Sequence, residues 1–207
     1  MSPAEPHFYE PSAGHRLRHD PFKAIVAPRP IGWISTVDAD GGFNLAPYSY
    51  FNAVCDKPPM ILFSSSGRKD TLRNAQATGC FVWNLATRPL AERMNATSAP
   101  VSADVDEFAL AGLTPVASRL VTAPRVAETP AALECRVVQI VELKDLDGAS
   151  ADHWMVVGQV VGVHLDPAYL RDGLFDTAAA QPIMRAGYRG DYAGIDAGSM
   201  FEMIRPG

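Results

Sequence analysis

Short strand-like segments joined by tight turns are the feature that most limits the fold of this chain. Residues 132–143 and 153–165 are dense in valine and flank a short polar segment, which is typical of a β-hairpin. Residues 31–37 and 43–54 flank the sequence DADGG in the same way. About six or seven such strands, with only short helices between them, predict a mainly β, antiparallel barrel. A doubly wound parallel sheet is not favoured.

Three of the predicted strands follow one another directly. The strand 43–54 is expected to be interrupted at Pro47, and a turn at 56–59 leads into a third strand from Met60. These strands therefore predict a three-stranded meander. A helix is expected over 69–78 with Asp70 as its N-terminal cap, and a second over 89–96 with a proline in its first turn.

Length and composition predict one soluble domain. The chain has 207 residues, 47% hydrophobic and 20% charged, and we expect an extended N-terminal segment over 1–20 and a single domain over 21–207. No apolar run reaches the roughly 18 residues that a membrane span needs. The N-terminus lacks the apolar region of a signal peptide, which favours a cytoplasmic location and no membrane role. The net charge of −5 argues against nucleic acid as a partner.

The cysteine and histidine spacing gives little indication of a metal site. Cys55, Cys80 and Cys135 stand 25 and 55 residues apart, too far for the close pairs of zinc sites, and we expect reduced core thiols. His15 and His19 are four residues apart but have no evident third ligand. We therefore predict no metal.

The segment NLAPYSYFN is apolar and aromatic but contains Pro47. Proline donates no ladder hydrogen bond, so it predicts irregular pairing and free backbone groups at this point. The carboxamides of Asn44 and Asn52, the hydroxyl of Ser49 and three aromatic rings could hydrogen-bond the rim of a flat ligand and pack on its face. The alternative is a core strand with an edge bulge.

The segment FSSSGRKDT ends a strand in three serines and opens a helix with two cations. Hydroxyls, flexible backbone amides and a helix N-terminus favour a bound phosphate. The alternative is that the serines only form a turn and the helix is only capped. Neither a Walker loop nor a GxGxxG fingerprint is present. Together the two segments indicate a mononucleotide with a large flat ring.

The chain resembles the flavin reductase-like proteins with the FMN-binding split-barrel fold, from about Asp20 to Arg205. The motifs that carry the resemblance are RPIGWIST (29–36), NLAPYSYFN (44–52), KPPMILFSSS with RKDT (57–71), GCFVWNLA (79–86), MNATSAP (94–100), GLTP, PAALECRVV and DHWMVVGQVVGVH (152–164). The resemblance implies a split β-barrel with short helices. It also implies a homodimer that binds FMN, or FAD, and takes electrons from NADH or NADPH.

Carried over residue by residue, the resemblance implies a flavin site and a catalytic His153 near the flavin and the nicotinamide. The isoalloxazine is expected to border Ala46, Pro47, Ser49 and Asn52, with Trp33, Ser35 and Thr36 along the ribityl end. The phosphate is expected to contact Ser64, Ser65, Ser66, Arg68, Lys69 and Thr71, and Asn84 is a further candidate that could instead cap its strand.

These expectations favour an NAD(P)H:flavin reductase that acts alone or supplies a monooxygenase. Hydride transfer from nicotinamide to flavin is cofactor chemistry, so a catalytic triad is not required. Two alternatives stay open. One is a flavoredoxin-like FMN electron carrier, and the other is a non-enzymatic flavin-binding module.

Overall fold

The computed structural model describes residues 5–206, so residues 1–4 of the expected N-terminal segment and residue 207 lie outside it. The strands are β1 Arg29–Pro30, β2 Gly32–Val37, β3 Phe43–Tyr48, β4 Phe51–Asp56, β5 Pro59–Ser66, β6 Cys80–Asn84, β7 Pro115–Val116, β8 Arg125–Val126, β9 Ala131–Lys144, β10 Ser150–Leu165, β11 Leu170–Arg171, β12 Leu174–Phe175, β13 Ile183–Arg185 and β14 Tyr192–Gly194. The helices are α1 Phe22–Ile25, α2 Asp70–Thr78, α3 Ala91–Ala96, α4 Glu107–Leu110 and α5 Thr177–Ala180. Short 3₁₀ turns span Pro11–Ala13, Arg88–Leu90 and Pro167–Tyr169.

Seven strands form the main sheet in the order β3-β2-β6-β9-β10-β5-β4, and every neighbouring pair is antiparallel. The hairpins predicted from DADGG and from the two valine-rich segments are β2–β3 and β9–β10. Both hairpins are confirmed. No helix within residues 5–206 is long and apolar enough to cross a bilayer.

The predicted meander is wrong, because residues 43–54 form two strands rather than one. β3 and β4 lie at opposite ends of the seven-strand order, and the chain bends between them at Ser49 and Tyr50. The amide of Ser64 in β5 donates to the carbonyl of Tyr50 at 2.8 Å. This bond extends the β4–β5 ladder by one residue. Because only two residues connect β3 to β4, the bend brings the two ends of the sheet together and closes the barrel.

Pro47 does not interrupt its strand, contrary to the expectation. It stands opposite Trp33 in an unbroken β2–β3 register. The amide of Leu45 points away from β2 and donates to the Glu107 carboxylate at 3.1 Å, and residues two apart face the same side of a ladder. Pro47 therefore faces the free edge of β3, where its missing N–H removes no ladder hydrogen bond.

Both faces of β2 are covered, which explains why the whole strand is buried. Ile34 packs inside the barrel with Phe63 and Phe81. Trp33, on the opposite face, belongs to a second cluster that includes Leu45, Phe108 and residues of α3. The alternation of a strand thus supplies two cores from one segment.

Helix α2 follows the predicted span closely but begins differently. Asp70 is its first residue and not its cap, and it pairs with Arg73 one turn along. Lys69 precedes the helix and forms no capping hydrogen bond with its side chain. The helix ends at Gly79 as expected, with a positive φ of 68° that favours glycine.

Two of the three cysteines are buried as expected, but Cys55 is exposed on β4. Cys55 lies on the strand at the end of the sheet order, where residues 52–56 all face solvent. Burial raises the pKa of the Cys135 thiol strongly, so Cys55 is the thiol open to reagents.

The side chain of Glu134 is fully buried and holds a loop onto β9. Its carboxylate accepts from the amides of Arg119 and Leu120 at 2.7 and 2.6 Å and lies 2.5 Å from the ring of His164. Burial alone would raise the pKa of Glu134, but these hydrogen bonds together lower it below the ordinary value. The ionised carboxylate therefore stabilises the fold.

We expect Glu134→Gln to lower the free energy of unfolding by about 1.5–3 kcal/mol at pH 7, because charge-assisted hydrogen bonds are lost. The stabilisation by Glu134 is present above the ordinary glutamate pKa of about 4.3 and is lost as pH falls through the lower pKa of the folded state. The difference between wild type and variant should therefore shrink in acid. Urea denaturation at several pH values measures it.

The matched control is Glu142→Gln, on the exposed part of the same strand. It should change the stability by less than about 0.5 kcal/mol. Equal losses in the two variants would contradict a special role for the buried carboxylate.

Candidate functional site

Two cavities meet at the bend that closes the barrel. The polar cavity, of about 440 Å³, lies between the free edge of β3, the end of β5 and residues 97–101. The aromatic cavity, of about 520 Å³, is bounded by residues 49–52, the start of β10 and the segment before β2. Both contain Ser49, Tyr50 and Ser64 in their walls.

The polar cavity combines residues from both segments that the sequence singled out. Asn44, Ala46 and Pro47 line it from β3, and Ser49 lines it from the bend. Opposite them are three of the residues predicted to hold phosphate, which are Ser64, Ser66 and Lys69. The two segments are neighbours through barrel closure and not through a meander.

Three of the residues predicted to hold phosphate have other contacts. Ser65 is fully buried and its hydroxyl donates to the Gly67 carbonyl at 2.9 Å. The guanidinium of Arg68 lies over the Trp154 ring at 5.2 Å. Thr71 is buried and accepts a hydrogen bond from Asn44. None of the three lines the polar cavity.

The expectation that Trp33, Ser35 and Thr36 contact the ligand is not supported, because all three are fully buried. The Trp33 indole donates to Thr97 at 3.1 Å, and the Ser35 hydroxyl donates to the Pro124 carbonyl at 2.5 Å. Each therefore forms an internal hydrogen bond that holds a loop or helix against the sheet.

Asn84 is also an internal residue. Its amide nitrogen donates to the Trp33 carbonyl at 3.2 Å and to Ser35 at 3.1 Å, and its oxygen accepts from the Val126 amide at 2.8 Å. The carboxamide thus joins β2 to β8. These hydrogen bonds fit a structural role for Asn84 at the end of its strand better than contact with a ligand.

The carboxamide of Asn44 joins the edge strand to α2. It donates to the hydroxyls of Thr36 at 3.2 Å and Thr71 at 2.8 Å, and Asn74 donates to the same Thr36 hydroxyl at 3.2 Å. This network fixes the first turn of α2 against β3, so it positions both walls of the polar cavity.

His153 lines the aromatic cavity together with Asn52. The register of β10 shifts between Ser150 and Trp154, and Asp152 has a positive φ of 51°. Such bulges redirect side chains. The Asp152 carbonyl accepts from Gly67 at 2.9 Å, so the bulge is tied to the end of the serine segment. The His153 ring lies 6.5 Å from the Tyr50 ring, centroid to centroid.

The residues on the far wall of the polar cavity were not among the predicted site residues. Thr97, Ser98 and Pro100 form part of it, together with Glu107. The motif MNATSAP contains the first three residues, and it indicated the family without indicating a role. Glu107 begins the four-residue helix α4, and no periodic pattern in the sequence marks it.

Among the described residues that line the polar cavity, Lys69 is the cation. Asp70 is paired with Arg73. Burial raises the pKa of Glu107, although its hydrogen bond from Leu45 opposes that shift. Burial also raises the pKa of the Tyr48 hydroxyl, which keeps that group neutral. Within residues 5–206, an anion in this cavity would therefore meet the Lys69 ammonium and several hydroxyls, with the Asp70 and Glu107 carboxylates in the same lining.

Comparison with known proteins identifies the family. The model of the flavin reductase like domain matches residues 26–182. The chain belongs to the flavin reductase-like family. An Aquifex aeolicus protein of uncharacterized function is 42% identical over 127 residues, which cover 59% of this chain and 65% of that relative.

Solved structures confirm the predicted split barrel of this flavin reductase-like chain. Nitrilotriacetate monooxygenase component B from Bacillus cereus is 30% identical, with a TM-score of 0.82 over 98% of both chains. The flavoredoxin of Desulfovibrio vulgaris (Miyazaki F) is 26% identical, with a TM-score of 0.72 over 87% of this chain and 91% of that one. Membership of this family supports a function as a flavin-related oxidoreductase.

We expect Asn44→Ala to lower the free energy of unfolding by about 1–3 kcal/mol, because it leaves the buried Thr71 hydroxyl without its donor. The control is Asn52→Ala, since the exposed Asn52 carboxamide has, within residues 5–206, the adjacent Ala53 amide as its hydrogen-bond partner. Chemical denaturation of both variants tests this. A loss for Asn52→Ala as large as that for Asn44→Ala would argue against the network.

Proposed function

We propose that this protein is an NAD(P)H:flavin reductase that binds FMN across the junction of its polar and aromatic cavities. The observation that carries the proposal is the junction itself. A cavity with an ammonium group and hydroxyls adjoins a cavity with aromatic and apolar walls. The ends of a flavin mononucleotide, a phosphate and a fused ring, require these two environments.

The polar cavity fits the phosphate end. Lys69 supplies a full charge, and Ser64 and Ser66 supply hydroxyls that line the same space. Lys69 and Asp70 also place the first turn of α2 at this wall, where the unpaired amides of a nine-residue helix favour an anion. FAD would add an adenosine diphosphate half, so it remains the alternative flavin.

The free edge of β3 and the bend fit the ring end. Leu45 and Pro47 turn their backbone toward the free edge, and within residues 5–206 the carbonyl of Pro47 has no strand beside it. An imide N–H of a ring can donate to such a carbonyl, while Ser49 and Asn52 supply polar side chains near the bend. Pro47 therefore suits an edge that pairs with a ligand instead of a strand.

Bound flavin supplies the redox chemistry by accepting a hydride from the nicotinamide ring. The chain's residues hold the two rings in contact and exclude water from the aromatic cavity. The Nδ1 of His153 lies 2.9 Å from the Ala151 carbonyl. A carbonyl only accepts, so Nδ1 carries the proton and Nε2 is the nitrogen available to a ligand.

The proposal includes a homodimer, a monooxygenase partner and a cytoplasmic location. β4 ends the sheet order with Val54 half exposed, and exposed Phe22 and Val26 flank the aromatic cavity. A second chain would cover this apolar surface. The likeness to a monooxygenase component B supports a role in supplying reduced flavin. A single-chain mass in light scattering would remove the dimer from the proposal.

The test is anaerobic reduction. The purified protein with FMN should lose its visible flavin absorbance when NADH or NADPH is added, and it should oxidise the nucleotide steadily in air. Flavin that stays bound and oxidised with both nucleotides, but is reduced by a reduced protein donor, would favour the flavoredoxin-like carrier. Failure to bind flavin would leave only a non-enzymatic barrel.

We expect Lys69→Ala to raise the dissociation constant for FMN about 10- to 100-fold, because a charge-assisted contact worth roughly 1.5–3 kcal/mol is removed. Lys57→Ala, in the exposed turn between β4 and β5, is the matched control and should leave the constant unchanged. Fluorescence titration of FMN measures both. Unchanged affinity in Lys69→Ala would exclude Lys69 from the site.

A further inference from the structure

A third cavity, of about 630 Å³, lies between the N-terminal segment, β1 and β13. Four of its lining residues are cations, namely Lys23, Arg29, Arg185 and Arg189, and one is a carboxylate, Asp20. The whole chain has a net charge of −5, so this cationic cavity opposes the overall charge. A cavity of this sign favours an anionic ligand.

Two of these cations stand directly opposite each other. Arg29 and Arg185 are paired across the antiparallel β1–β13 ladder, where like charges are destabilising. Arg29 is only 6% exposed, and a buried guanidinium requires compensation. The Arg185 guanidinium lies over the Tyr192 ring at 4.8 Å, and among the described residues neither arginine pairs with a carboxylate.

The hydrogen bonds of the pair are incomplete. Arg29 donates through Nη1 to the carbonyls of Val26, at 2.6 Å, and Lys23. Within residues 5–206, the Nε atoms of Arg29 and Arg185 are buried without a hydrogen-bond partner, and neither arginine forms an ion pair. The Asp20 carboxylate instead accepts from the Phe22 amide at 2.9 Å.

The cationic cavity continues from the aromatic cavity. Arg29 lines both. The Lys23 ammonium lies 5.9 Å from the centroid of the Tyr50 ring, and Tyr50 is the neighbour of His153. A ligand with a flat ring near His153 and a charged group several atoms away would therefore reach the arginine pair.

We propose that the cationic cavity binds the pyrophosphate of the nicotinamide dinucleotide, with Arg29 and Arg185 as its charged contacts and the nicotinamide in the aromatic cavity. The inference rests on the proposed function for the identity of the reductant. The flavin phosphate already has Lys69 in the polar cavity. Two separate anion sites, on either side of one ring cavity, match two phosphate-bearing ligands that exchange a hydride.

The test uses NAD⁺, which binds without reducing the flavin, and inorganic pyrophosphate as a minimal probe. Calorimetry is performed on the full chain saturated with FMN. Arg185→Gln should raise the dissociation constants of NAD⁺ and of pyrophosphate about tenfold or more, because charge-assisted hydrogen bonds are lost. Pyrophosphate should compete with NAD⁺, and the FMN constant should stay within about twofold of wild type.

Arg185 is chosen because it is only partly buried, and Arg185→Lys should restore part of the affinity. The control is Arg171→Gln, on β11, whose guanidinium donates, within the described part of the chain, to the nearby carbonyls of Ala168 and Leu170. It should leave all three constants unchanged. Equal thermal melting of the three variants and wild type verifies that binding, and not folding, has changed.

Three outcomes would overturn the inference. Weaker FMN binding with unchanged NAD⁺ binding would assign the arginines to the flavin phosphate. Pyrophosphate binding that does not compete with NAD⁺ would indicate a free phosphate site, and no anion binding would remove the site altogether. The proposed function fails separately, if wild-type protein binds no flavin or its flavin is not reduced by NADH or NADPH.

Discussion

The two-residue link at Ser49 and Tyr50 is the constraint on which the site depends. Strands β3 and β4 follow each other in the chain but end opposite sides of the sheet order, so the two residues between them close the barrel. Both cavities have Ser49, Tyr50 and Ser64 in their walls. Opening the barrel at this point would dismantle both cavities. A ligand that spans the junction therefore stabilises the closure by mass action.

Buried polar side chains fix the parts of the fold that hydrophobic packing leaves free. Asn84 joins β2 to β8, Glu134 holds the loop at Arg119 and Leu120, and Asn44 joins β3 to α2. In each case a carboxamide or carboxylate reaches an element that is not its sheet neighbour. Because an unpaired buried polar group costs about 1–3 kcal/mol, each contact discriminates against other loop positions.

The predictable parts of this fold are those encoded by local pattern. The hairpins β2–β3 and β9–β10 follow from strand-forming residues around short polar turns, and α2 follows from its composition and Gly79. The closure of the barrel at Ser49 and Tyr50 depends on distant parts of the chain. Nothing in residues 43–54 indicates that β3 pairs with β2 while β4 pairs with β5. Pro47 predicts free backbone groups, and it does lie on the free edge of β3. The interruption of the strand, however, lies two residues later, at Ser49.

For the site, the sequence marked the right segments better than the right side chains. Ser64 and Ser66 line the polar cavity, while Ser65 between them points into the barrel, as the period of two along a strand requires. Trp33 and Ser35 lie on one face of β2 and Thr36 lies on the other, and all three are buried because both faces are covered, whereas Asn52 on β4 is exposed. Burial on two faces depends on α3 and α4, which lie far along the chain, so it could not be deduced from β2 alone.

The polar and cationic cavities differ in their charge. In the part of the chain that the structure describes, Lys69 is the cation that lines the polar cavity, and it lies beside hydroxyls and the first turn of α2. The cationic cavity has three partly or fully exposed cations around the buried Arg29. Exposed charges accelerate the approach of an anion, yet add little to its affinity. In the proposed site, Arg29 and the partly buried Arg185 would hold the pyrophosphate, while the exposed Lys23 and Arg189 would attract it.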